Sequence, residues 1–439
     1  MRLFLRVATT ALVPMLLTGC MVRPVSGPLE AAQSTLNQAA EAYVRAVLAL
    51  GEHDTAYVDA YYGPAAWRAA VKAHTPSLPA IEQGARARIA ELQRIDLLDA
   101  PEMLQLRRTY LMRQLQALVV HAQRLQGQAL RFEDEARQLY DVTVSPIDEA
   151  ALQAQLAPLA ALLPGAGDLA DRYNAYQARF TVSPDQLEAV MRAAIEEARR
   201  RTRVRLSLPP EERFELALVR NQPWSAYNWY QGGYRSRIEI NTDLPVSISR
   251  VIELAVHEGY PGHHVYNALL EQRLVRERGW VEFSVYPLYS PQSLIAEGTA
   301  DYAIALAFPP AERLTFVREV LFPLAGLDPA EAERYLHVTE AARVIGAATI
   351  EAARRYRNGL ATSEDTVVLL QRYALASEAR AHQRVKFFDA YGAYIVNYSM
   401  GEARVRDYVE RIAMADPAQR WSVFGALLAS PRLPSGLQP

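Results

Sequence analysis

From Leu29 onward, apolar residues recur three and four positions apart on a background of Ala, Leu, Arg, Glu and Gln. That is the period of helices that bury one face. Leu36, Ala40, Tyr43, Val44 and Leu48 form one stripe; Leu104, Leu111, Leu115, Leu118 and Leu125 form another. Pro and Gly interrupt the pattern at Gly63-Pro64, Pro158, Pro164-Gly165, Pro184 and Pro209-Pro210. One segment changes period. Tyr234 to Asn241 ends in alternating polar and apolar residues, which predicts a short strand. Asn241 to Pro245 reads as a turn, and Ser247 or Ser249 as the cap of a helix carrying Ile248, Val251, Ile252 and Ala255. The tail from Ser430 to Gly436 reads as non-helical. The pattern predicts a mostly α protein with a helical region at 29–200 and the chemistry-bearing region at 201–439, joined in one compact unit.

Half of the 439 residues are hydrophobic and 22% are charged, which excludes a disordered or fibrous chain. The net charge of −2 offers no basic excess for a polyanion, so nucleic acid is excluded as a partner. The run Arg199-Arg200-Arg201-Thr202-Arg203 lies between Glu196-Glu197 and Glu211-Glu212, and predicts a solvated helix face of alternating charge.

The N-terminus has Arg2 and Arg6 before an apolar stretch from Val7 to Leu17, too short for a permanent membrane span. It closes on Leu17-Thr18-Gly19-Cys20, which resembles the bacterial lipobox. The resemblance implies a signal peptide at 1–19, acylation of Cys20 and a tether at 20–28. Cys20 is the sole cysteine, so no internal disulfide exists. Removing Arg2 and Arg6 from 47 basic side chains leaves 45 against 49 acidic, a net −4. Met21 is not the aspartate that retains lipoproteins at the inner membrane. The resemblance therefore implies an outer-membrane anchor facing the periplasm.

Three of the eight histidines fall in His257-Glu258-Gly259-Tyr260-Pro261-Gly262-His263-His264. The zinc-protease signature His-Glu-x-x-His puts two ligands at i and i+4 with the glutamate as base. Here i+4 is Pro261, which has no ligand atom. On an unbroken helix His264 would lie about 10.5 Å along the axis from His257, too far for one ion. Pro261-Gly262 breaks that helix. If two residues loop out, His263 becomes the second ligand; if three do, His264 does. The following Val265-Tyr266 favours His263, since His-x-Leu-Tyr follows the signature in some helical metallocarboxypeptidases. Downstream, Ser290-Pro291 starts a helix. Glu297 and Asp301 share one of its faces, and Ala296, Gly298 and Ala300 let another helix approach.

His-Glu-x-x-Pro-Gly-His-His followed by Glu-Gly-x-Ala-Asp resembles the bacterial domain of unknown function 885 family. Leu163-Pro164-Gly165, the strand ending Ile240-Asn241-Thr242, and Tyr398-Ser399-Met400-Gly401 extend the resemblance; Trp421 to Leu437 departs from the family pattern. The family is gluzincin-like and often lipid-anchored. The resemblance implies a large helical zincin-like fold with a small β element next to the metal-site helix. It implies zinc, or another divalent metal, on His257, His263 (or His264) and Glu297, with Asp301 orienting His257. Glu258 is the expected general base of a peptidase or amidase acting on a peptide or amide substrate. Tyr391, Tyr394 and Tyr398, at i, i+3 and i+7, form a stripe that either packs in the core or supplies an oxyanion donor, with Tyr398 favoured. Arg380 and His382 are candidates for a substrate carboxylate, and the strand from Arg237 to Asn241 for pairing with an extended peptide. The alternatives are a non-catalytic envelope lipoprotein on the same fold and a metal-dependent hydrolase of non-peptide substrates.

Overall fold

The computed structural model describes residues 27–222, 224–414 and 416–438. The expected signal peptide, Cys20 and most of the expected tether lie outside the described residues. The first helix, α1 (Pro28–His53), buries Leu36, Ala40, Tyr43, Val44 and Leu48 as the periodicity predicts. Strand β1 (Val58–Tyr61) follows, then α2 (Leu78–Gln93) and α3 (Glu102–Leu125), which pack on α1. In α3, Leu104, Leu111, Leu115 and Leu118 are buried, whereas Leu125 is exposed. It is the last residue of the helix, where the chain turns away at Gly127.

Helix α4 (Pro184–Arg205) runs straight through the expected 200/201 boundary. One hydrophobic core joins Leu36, Leu111 and Ile195 with Val251 and Leu294 from beyond it. A second link is polar. Arg107 of α3 holds Glu282 through two hydrogen bonds of 2.6 and 3.0 Å, and Asn37 of α1 through a third of 2.8 Å. Both charges are buried, so each is stable only with its partner.

The sequence pattern predicts one strand; the described residues form five. β2 (Arg213–Val219), β3 (Ala226–Tyr230) and β4 (Arg235–Asn241) form a sheet ordered β2-β4-β3, parallel between β2 and β4 and antiparallel between β3 and β4. β1 pairs antiparallel with β5 (Val285–Pro287). β1, β3 and β5 are three to five residues long, too short for alternation to stand out; β2 is as long as β4 but ends in the continuous apolar run Leu216–Val219.

Helix α5 (Ile248–Leu254) follows the sheet. Ser247 occupies its cap position, but its hydroxyl meets Ser249 instead of the helix amides. Then come α6 (His263–Leu270) and α7 (Pro291–Ala307). Ser290 likewise stands at the cap of α7 yet donates to the Pro287 carbonyl. α7 is buried on nearly every side, its polar residues Gln292, Ser293, Glu297 and Thr299 included. Two helices close the site, α8 (Glu378–Tyr391) and α9 (Ser399–Ala413). The tail, read as non-helical, contains a 3₁₀ turn at Pro434–Leu437, anchored by Arg411 donating to the Leu437 carbonyl. No helix among the described residues is long and apolar enough to cross a membrane.

The small residues of α7 set its closest contact. A β-carbon at Gly298 would lie 2.4 Å from the Gly401 carbonyl carbon of α9. Gly298→Ala is therefore expected to lower stability by about 1–3 kcal/mol through overpacking. Denaturant unfolding tests this; an unchanged midpoint would mean that the two helices separate without strain.

Candidate metal centre

The site begins where α5 loosens. Ala255–Gly259 forms a single π-helical turn, a wider coil that carries His257 and Glu258. The chain then leaves the helix through Tyr260, Pro261 and Gly262 and starts α6 at His263. Two helices with a corner between them replace the looped-out single helix expected from the sequence. The corner is tight: a β-carbon at Gly262 would sit 2.0 Å from the His257 carbonyl oxygen and 2.2 Å from that of Val256. Only glycine fits, and its own N–H donates to Val256 at 3.0 Å. The result brings the His257 and His263 rings to 4.6 Å between centroids, nearly perpendicular.

Glu297 of α7 completes the group. Ligand atoms of His257, His263 and Glu297 all lie within 4.8 Å of one another. His257 Nε2 is 3.1 Å from one Glu297 oxygen, and His263 Nε2 is 3.7 Å from the other. The opposite nitrogen of His257, Nδ1, lies 2.8 Å from Asp301 Oδ1. That contact directs Nε2 toward the centre, the orientation a metal-binding imidazole needs. Tyr394 donates to Glu297 Oε1 at 2.7 Å. Glu297 Oε2 is buried, and its contact with His257 Nε2 at 3.1 Å is not aligned as a hydrogen bond, so a cation would satisfy it. The residues fit a divalent ion.

The electrostatics agree. Desolvation pulls the His257 pKa down, but Asp301 and Glu297 outweigh it and raise it well above the usual histidine range. Burial pushes Glu297 up, yet His263 and His257 hold its carboxyl far below the ordinary carboxylate range. The pocket is thus built for positive charge at its middle. Glu258 is buried beside these groups; Asn228 of β3 fastens its backbone carbonyl at 2.6 Å. Tyr398 lies over His257, with ring centroids 6.4 Å apart. Burial, then Glu297 and Asp301, raise its pKa, so it keeps its hydrogen.

The three tyrosines do not share one helix, as their spacing suggested. α8 ends at Tyr391, Gly392–Asn397 forms a 3₁₀ turn, and α9 begins after Tyr398. They still meet, at 6.2 Å between Tyr391 and Tyr394 and 6.0 Å between Tyr394 and Tyr398. Gly392 permits this with φ of +57°, where a side chain would strike Glu135.

His264, the alternate second ligand, points away from the centre. It is fully buried, with Nδ1 2.8 Å from Ser236 and Nε2 3.0 Å from Glu212. Both nitrogens are occupied. Glu212 also accepts from Tyr260 at 2.5 Å, from Arg199 at 3.1 Å and from Arg203 at 2.6 Å. The arginine run is therefore only partly a solvated face: two of its members clamp a buried carboxylate.

The remaining candidates stand apart. Arg237 pairs with Glu239 and Glu215. Asn241 donates to the Gln222 and Trp224 carbonyls and fastens the turn. β4 lies between β2 and β3, so it has no free edge for a peptide. His382 is exposed, 4.0 Å from Glu378. Arg380 is exposed on the same helix; Arg384, one turn further, is the arginine whose charge acts on Tyr398. Sequence reasoning missed Arg384, Glu212, Asn228 and Asp59. Nothing in a linear chain distinguishes a buried glutamate from an exposed one.

No family model matches the chain, and no curated protein matches it. Among solved structures, a Colwellia psychrerythraea protein described as a lipoprotein is 14% identical, covers 82% of this chain and 68% of its own, and has a TM-score of 0.49. A Shewanella oneidensis protein described as a lipoprotein of unknown function is 14% identical, with coverages of 82% and 75% and a TM-score of 0.45. The M32 carboxypeptidase of Deinococcus radiodurans R1 is 12% identical, with coverages of 91% and 90% and a TM-score of 0.46.

The Glu212 cluster yields a pH test. Burial opposes its ionisation, but His264, Tyr260 and Arg199 lower its pKa from 4.5 to about 2. A depressed carboxylate stabilises the fold above its unfolded pKa and loses that contribution as pH falls through the folded value. The contribution is about 3 kcal/mol. Glu212→Gln is expected to lose it at neutral pH and to flatten the fall in stability between pH 4.5 and about 2. Parallel unfolding profiles for the two proteins would refute the assignment.

Proposed function

We propose that this protein is a lipid-anchored, metal-dependent hydrolase of peptides or amides, facing the periplasm from the outer membrane through Cys20, and a member of the domain of unknown function 885 family. One observation carries the reading. His257, His263 and Glu297 converge within 4.8 Å around an orphaned carboxylate oxygen, with Glu258 adjoining in the chain. Two imidazoles and a carboxylate suit zinc, and cobalt or manganese accept the same donors. When bound, such an ion supplies Lewis acidity toward a carbonyl and makes water nucleophilic near neutral pH.

The chain's own groups do the rest. Asp301 holds His257 Nδ1, which leaves Nε2 for the ion. Glu258 takes the proton that the attacking water gives up and returns it to the leaving amine. A scaffold has no use for a buried carboxylate at that position. Tyr398, neutral and facing the same centre, offers its phenol hydrogen to the developing oxyanion. Tyr394 is committed to Glu297 and positions that ligand.

Metal content by mass spectrometry, on protein purified without a metal-affinity tag, is the direct test. One ion per chain is expected. Glu297→Ala and His263→Ala lose it, whereas His264→Ala keeps it. Glu258→Gln is expected to retain metal while hydrolysis falls by about 10²–10⁴-fold, the usual reach of a general base. Equal activity in that variant removes Glu258 from the mechanism. Absence of metal after incubation with zinc turns the reading to a non-catalytic envelope lipoprotein.

A further inference from the structure

A second carboxylate, Asp59, reaches the neighbourhood of the centre from a distant part of the chain: its partner Tyr227 adjoins Asn228, which holds the Glu258 carbonyl at 2.6 Å. Asp59 belongs to β1, whose register against β5 shifts between Val58, opposite Pro287, and Ala60, opposite Tyr286. Asp59 is the extra residue of that bulge. A bulge re-aims one side chain out of the regular pleat, and bulges recur beside active sites. β5 runs directly into α7, which carries Glu297, so the ribbon is fixed relative to the triad. From the opposite side, Tyr227 of β3, an edge strand, donates its hydroxyl to Asp59 Oδ1. Asp59 thus bridges the two sheets beside the metal-site residues, and its charge interacts with those of His263, Glu297 and Glu258.

Its neighbourhood lacks compensation. Among the described residues, no Lys or Arg forms an ion pair with Asp59; its one hydrogen-bond donor is a neutral phenol. Burial raises its carboxyl to about 7, with His263 opposing and Glu297 and Glu258 adding to the rise. A carboxylate in such a setting is short of a cation, and a charged donor would form a strong, short hydrogen bond with it.

Resting on the hydrolase reading above, we propose that Asp59 receives a substrate ammonium group beside the metal-site residues, so that the favoured substrates are amides carrying a free primary amine near the scissile bond. The bulge sets how far from that bond the amine stands, and Tyr227 holds the carboxylate in line. Asp59 is then a specificity-determining residue that the motif-bearing part of the chain does not contain.

The test uses the full chain loaded with zinc and three probes: alanyl-alanine amide, its N-acetyl derivative, and N-acetyl-lysine amide. Calorimetric binding is measured alongside hydrolysis. The wild type is expected to bind the free-amine dipeptide about tenfold to hundredfold more tightly than the acetylated one. The isosteric Asp59→Asn is expected to collapse that ratio toward one at unchanged metal content. Tyr227→Phe, which keeps the carboxylate but removes the hydroxyl that holds it in line, is expected to lower the ratio less than Asp59→Asn does. Preference for N-acetyl-lysine amide over N-acetyl-alanyl-alanine amide would assign the amine to a side chain and not to the peptide terminus. A ratio that survives in Asp59→Asn overturns the proposal, as does a wild type that binds none of the probes. If Asp59→Asn instead loses metal and weakens both dipeptides equally, the carboxylate serves the ion and the proposal fails. Amine-dependent binding without hydrolysis would leave Asp59 its role while refuting the hydrolase reading.

Discussion

Five residues stand between His257 and His263, and the centre exists only because they fold so that the two rings meet. A regular helix cannot do this. The π turn widens the first helix, the corner at Tyr260–Gly262 ends it, and His263 opens the next. The corner tolerates no side chain at Gly262, since two backbone carbonyls occupy the space of its missing β-carbon. Below the corner, Glu212 gathers Tyr260, His264, Arg199 and Arg203. Tyr260 and His264 flank the corner on either side. A single buried carboxylate therefore holds both ends of the loop that presents His263.

The same logic of compensated charge runs through the site. His257 lies between Asp301 and Glu297, and Glu297 between two histidines and Tyr394. These groups are buried in oppositely charged company, and Glu297 keeps one oxygen free of a well-formed hydrogen bond. The pattern is that of a centre completed by a cation. Farther out, Arg107 and Glu282 tie α1 and α3 to the segment that leads into β5 and α7. The N-terminal half thereby takes part in positioning Glu297.

Much of this was legible in the chain. The helical stripes of α1 and α3, the strand β4, and the closely approached helix with Glu297 and Asp301 on one face all follow from spacing. So does the need for a break at Pro261-Gly262. Spacing failed where the decisive contact is remote. His263 and His264 are adjacent and chemically identical, and only the packing of Glu212 and Ser236 around one ring separates them. Arg237 and Asn241 lie beside the motif in sequence but serve the sheet and its turn. The short strands β1, β3 and β5 carry too few alternating positions to register.

The sequence by itself determined the helical class, the break in the histidine helix, and the set of side chains from which a metal site must be drawn. Those are consequences of local periodicity and of backbone limits at proline and glycine. Tertiary structure alone decided how His264 is tied away from the centre, which arginines are buried against Glu212, and that Asp59 arrives from β1. Each of these depends on contacts between segments far apart in the chain, and a hydrogen bond or desolvated charge leaves no periodic trace in the residues that form it.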